Sequence, residues 1–79
     1  KPLYSPAGAR LRELLIDARS KAGLTQEEVA VPLGRPHSFV SKYESGERRL
    51  DVVEFLDVCA AVGVDGVKAL RQVEAARAK

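Results

Sequence analysis

Seventy-nine residues make one small domain, which buries only about 60% of its unfolded surface and depends on efficient packing or a partner. One cysteine and one histidine exclude an internal disulfide and leave too few ligands for a metal site. A net charge of +2 is too small to imply a nucleic-acid partner by itself, and 46% apolar residues is ordinary for a globular chain.

No apolar run approaches the roughly 20 residues that cross a bilayer, and no signal-peptide pattern opens the chain. No membrane association is expected, and the free cysteine fits a reducing cytoplasm. With no methionine anywhere, the chain is expected to be a trimmed part of a longer protein. Catalysis is not expected either. The chain lacks a Ser/His/Asp set, a glycine-rich phosphate loop and a cluster with metal-ligand spacing, so no cofactor and no small-molecule ligand are implied.

Every segment reads as helix, punctuated by glycines. Lys1 to Tyr4 is expected to be a loose arm. Ser5 followed by Pro6 is an N-cap with proline at the first helical position, where its missing N–H costs nothing. Leu11, Leu14, Leu15 and Ala18 recur at helical spacing up to Ala22, and Gly23 ends the helix. Thr25 and Glu28 form a capping box for a second helix from about Gln26 to Leu33, burying Val29, Ala30 and Leu33. Pro32 inside it removes a hydrogen bond, so a kink or an early finish is expected.

Gly34-Arg35-Pro36 makes a turn, and a third helix runs from about His37 to Ser45 and stops at Gly46. Asp51 and Glu54 form an acidic capping box for a fourth helix, with Val53, Leu56, Cys59 and Ala60 as its expected apolar face and Gly63 as its end. Asp65 caps a fifth helix from Gly66 to about Ala78, with Val67, Leu70, Val73 and Ala76 as its stripe. The expected fold is all-α, a bundle of five helices without a strand. Cys59 is expected to be a small core residue.

Charge is unevenly spread. Residues 35–49 hold Arg35, Lys42, Arg48 and Arg49 against Glu44 and Glu47, whereas residues 50–63 hold Asp51, Glu54 and Asp57 and no cation. That asymmetry suits a domain with one phosphate-facing side, although an ordinary solvated surface can also produce it. A short, polar, cation-bearing helix set off by a glycine turn is the layout of a DNA-reading helix-turn-helix, here residues 25–45.

The run Leu24-Thr25-Gln26-Glu27-Glu28-Val29-Ala30, then Leu33-Gly34, then Ser38 to Gly46 (SFVSKYESG) resembles the Cro/C1-type (Xre-like) helix-turn-helix family of phage repressors and bacterial regulators. The match spans about residues 10 to 65 and extends through Leu50 to Val64. The resemblance implies a lambda-repressor-like bundle that binds operator DNA as a homodimer. It departs from the family at Pro32, where a polar helix former is usual, and at Pro36, which cannot supply a capping hydroxyl.

Within that frame His37, Ser38, Ser41 and Lys42 are the expected base readers on one side of the third helix. His37 can donate to guanine or thymine, or accept from adenine or cytosine when neutral; Lys42 can reach guanine or a phosphate. Phe39 can touch a thymine methyl or pack on the second helix, and is expected near the DNA. Gln26 starts the second helix at the positive end of its dipole. The resemblance implies that it grips a phosphate and braces the first reading residue. Thr25 is expected first as a cap and second as a phosphate contact. Arg35, Ser45, Arg48 and Arg49 flank the reading helix as phosphate clamps. The resemblance further implies an ion pair between Arg19 and Glu44. The apolar stripe of the fifth helix has little else to cover, so the dimer is expected to form through the fifth helix, or through the fourth and fifth together, the alternative being that the fifth folds back on the core. An antitoxin or adaptor that uses the same fold to bind protein is the alternative reading.

Overall fold

The computed structural model describes residues 5–77. The expected arm at 1–4 and the last residue of the fifth helix, Ala78, lie outside them. Five α-helices follow in order: α1 Pro6–Lys21, α2 Gln26–Ala30, α3 His37–Ser45, α4 Val52–Val62 and α5 Gly66–Arg77. No strand occurs among the described residues.

The sequence signals sit where they act. Ser5 caps α1 by accepting from the Gly8 N–H at 3.0 Å, with Pro6 opening the helix. Thr25 and Glu28 close the capping box of α2 at 3.1 and 2.8 Å, and Asp51 and Glu54 that of α4 at 2.7 and 3.0 Å. Each box satisfies N–H groups that a helix start otherwise leaves without a partner.

Pro32 has the expected consequence. The α-helical ladder of α2 stops at Ala30, and Val31–Leu33 continue as one 3-10 turn that carries the proline in its first positions. Gly34 then takes a left-handed conformation, φ +67°, that an L side chain adopts only at a cost. It reverses the chain between α2 and α3. The second helix is therefore one short turn of α-helix and one of 3-10, not a continuous helix to Leu33.

The core is built from Leu15 of α1, Val29 and Ala30 of α2, Phe39, Val40 and Tyr43 of α3, Phe55, Val58, Cys59 and Val62 of α4, and Ala69 of α5. Leu11, Leu14, Ala18, Leu33 and Leu50 pack around it. The expected inward faces of α4 and α5 are corrected here. On α4 the buried stripe is Phe55, Val58, Cys59 and Val62, while Val53 and Leu56 remain 67% and 43% exposed. α4 is apolar nearly all round, so periodicity allowed two stripes, and the larger Phe55 ring takes the core. On α5 only Ala69 is fully buried; Val67 and Leu70 stand 60% and 43% exposed. α5 lies mainly along α1, with Arg10 Nη2 donating to Gln72 Oε1 at 2.6 Å, and its small alanine faces inward at that crossing.

Candidate nucleic-acid interface

α3 is anchored on its inner side and open on its outer side. Val40 is completely buried, Tyr43 and Phe39 nearly so, and the Phe39 and Tyr43 rings meet edge to face at 5.5 Å. Gly46 ends the helix at φ +87°, with the Arg12 side chain packed 3.5 Å from the point where a Cβ would stand. His37, Ser38 and Lys42 are exposed on the opposite side. Pro36 stands at the N-cap and makes no side-chain capping bond, so the N–H groups at the start of α3 have no hydroxyl to bond them.

Two hydroxyls of α3 are turned back on the helix. Ser41 Oγ donates to the Ser38 carbonyl at 3.2 Å, and Ser45 Oγ to the Lys42 carbonyl at 3.1 Å. Phe39 does not stand outward beside Ser38, contrary to the expectation that it lies near the DNA. Its ring is 5% exposed, because position 39 shares the inner face with Val40 and Tyr43.

The ring nevertheless shapes the surface. The guanidinium carbons of Arg35 and Arg48 lie 4.5 and 4.8 Å from its centroid, within cation–π range. Both guanidiniums also reach the carboxylate of Glu54. Arg35 Nη2 donates to Oε2 at 2.9 Å, and Arg48 donates through Nη1 and Nη2 at 2.9 and 2.8 Å. These hydrogen bonds, Arg48 first, hold the Glu54 carboxyl down at about 2 and raise Arg48. The two expected clamps are thus ion-paired, and one carboxylate joins the turn before α3 to the loop after it. An open groove lined by Arg35, Ser38, Lys42, Glu47 and Arg48 runs between these parts. Arg49 is exposed, and among the described residues its side chain makes no ion pair.

A second network braces the start of α3 from behind. Arg19 Nε and Nη2 donate to the two oxygens of Glu44 at 2.7 and 3.0 Å, and Arg19 Nη1 donates to the Leu24 carbonyl at 3.0 Å. The Glu44 side chain is 7% exposed and that of Arg19 20%. The bond to Glu44 raises the Arg19 guanidinium above its ordinary value. Gln26 Nε2 donates to Glu44 Oε1 at 2.9 Å, and Gln26 Oε1 lies 2.8 Å from His37 Nε2. α1, α2 and both ends of α3 are thereby joined through four side chains. Thr25 is occupied as a cap.

Sequence reasoning placed Glu54 only in a capping box and missed that it gathers two arginines. Nothing in the spacing from Arg35 or Arg48 to Glu54 signals it, because the contacts run from two separate loops to the first turn of α4. The Gln26–Glu44 bond was missed as well, although both residues had been singled out.

A profile of the helix-turn-helix domain family matches residues 7–72. No curated protein matches the chain. Among solved structures, an Xre-family-like protein from Pseudomonas syringae pv. tomato str. DC3000 superposes with a TM-score of 0.81 at 55% identity, covering 85% of this chain and 82% of that one. The chain belongs to the Xre-like helix-turn-helix family.

Proposed function

We propose that the chain is the sequence-specific DNA-binding part of a transcriptional regulator, acting as a repressor on a two-fold operator. The observation that carries this reading is the outer face of α3, where His37, Ser38 and Lys42 are exposed while the inner face is locked into the core. A helix so presented enters a major groove with its N-terminal residues towards the base edges. Arg35, Arg48 and Arg49 flank it on two loops, in reach of phosphates on either side of the groove. Glu54 withdraws part of the charge of two of them, so Lys42 and Arg49 carry most of the uncompensated attraction.

Two copies would meet through the apolar surface of α4 and α5. Val53, Leu56, Val67 and Leu70 are exposed there, and a Leu56 methyl group sits 2.6 Å from the point where a Gly66 Cβ would stand, so the two helices share one patch. A two-fold dimer sets its reading helices about one turn of DNA apart, near 34 Å. A mobility-shift titration at rising salt tests the reading: affinity for an operator-like duplex should fall steeply with salt. Absence of binding to any duplex at low salt overturns it.

The same patch also favours the second reading, an antitoxin or adaptor that binds protein through α4 and α5. Alanine at His37 and Lys42 separates the two, because only the DNA reading expects function to be lost.

A further inference from the structure

The side-chain chain that ends at His37 has a direction. Arg19 can only donate, and an ionised Glu44 can only accept. The Gln26 atom 2.9 Å from Glu44 Oε1 must therefore be the amide nitrogen, which turns the amide oxygen towards His37. That oxygen lies 2.8 Å from His37 Nε2 and has no proton, so Nε2 must carry one. A neutral imidazole has a single N–H, so its other nitrogen, Nδ1, is left as an acceptor. His37 is exposed, and among the described residues Nδ1 makes no hydrogen bond.

We infer that His37 reads DNA as an acceptor: Nδ1 takes a hydrogen bond from the exocyclic amine of an adenine or cytosine in the major groove. In the major groove only adenine N6 and cytosine N4 donate, whereas guanine N7 and O6 and thymine O4 accept. Arg19, Glu44 and Gln26 act on the base only through His37. They are positioning residues that fix the polarity of the ring. Without them a neutral imidazole could present either nitrogen as donor, and the position would tolerate all four bases. The inference rests on the proposed DNA-reading function, and its test separates the two.

A random-duplex selection with the wild-type chain and with His37→Ala, at about pH 8 and so above the ordinary imidazole range, locates the base pair that His37 contacts. Analogues then probe that pair atom by atom. Purine in place of adenine, or 2-pyrimidinone in place of cytosine, removes the amine; a 7-deaza purine removes the N7 acceptor. Amine removal should weaken wild-type binding by about fivefold, the worth of one neutral hydrogen bond, and cost the His37→Ala variant nothing beyond its effect on the duplex. The 7-deaza purine should cost neither protein. A His37-dependent penalty on removing N7, or none on either removal, overturns the inference and leaves the DNA reading standing. Failure to select any duplex removes the DNA reading itself. Ring nitrogen shifts in the free protein give an independent readout: a bare Nδ1 and a protonated Nε2 are expected, and a proton on Nδ1 overturns the polarity whatever the chain binds.

Discussion

Glu54 accepts hydrogen bonds from Arg48, from the Asp51 N–H and from Arg35, and all of them favour its ionised form. Its folded value, about 2, lies below the ordinary 4.5. A depressed carboxyl stabilises the fold fully above the ordinary value and loses that contribution as pH falls through the folded one. Urea midpoints should therefore drop between about pH 5 and pH 2, and Glu54→Gln should flatten that part of the profile. The variant also frees both arginines from an anion, so its affinity for DNA, measured at neutral pH, should be retained or raised. Arg19 stands differently. Its partner Glu44 is nearly buried and also holds Gln26, so Arg19→Ala strands a carboxylate. Denaturant unfolding should show a loss of about 3 kcal/mol, the lower end for a broken buried pair because Arg19 keeps some contact with water.

At the scale of elements, the short second helix depends on its ends. α2 has five α-helical residues and one 3-10 turn, too few to persist without capping and packing. Thr25→Ala removes the acceptor for the Glu28 N–H and should cost about 1 kcal/mol in thermal unfolding. Gly34→Ala meets no atom within 4 Å, so its cost is that of the left-handed backbone alone. About 1 kcal/mol is expected, without a change in the packing of α3. Together these elements set the angle at which α3 leaves the core. The angle is held by a cap, a turn and two side-chain networks, not by burial of α3 alone.

For the whole molecule, charge and apolar surface make separate predictions. Arg49 makes no ion pair among the described residues, so Arg49→Ala should weaken binding to all duplexes alike and reduce the slope of log K against log salt by about one. A Leu56→Asp change places a charge in the exposed patch shared by α4 and α5. Sedimentation should show fewer dimers and a lower operator affinity, with little change in the thermal midpoint, because Leu56 is already 43% exposed. A large fall in the midpoint would instead assign Leu56 to the core of the single chain.

The sequence by itself determined the helices, their caps and the glycine stops, because these depend on residues within three or four positions of one another. Thr25 with Glu28, Asp51 with Glu54, and Gly34 and Gly46 are signals of that kind, and Pro32 announced a kink or an early finish of the second helix without saying which. The resemblance added the Arg19–Glu44 pair, which no local spacing implies. Only the tertiary structure decided which side of an apolar helix faces inward. α4 had two workable stripes, and the choice fell to the side that carries the Phe55 ring into the core. It also decided that Phe39 lies under two arginines, that Glu54 gathers those arginines from separate loops, and that Gln26 turns its oxygen to His37. Each of these depends on groups brought together from distant parts of the chain, and the pattern along one helix carries no record of what the next will present to it.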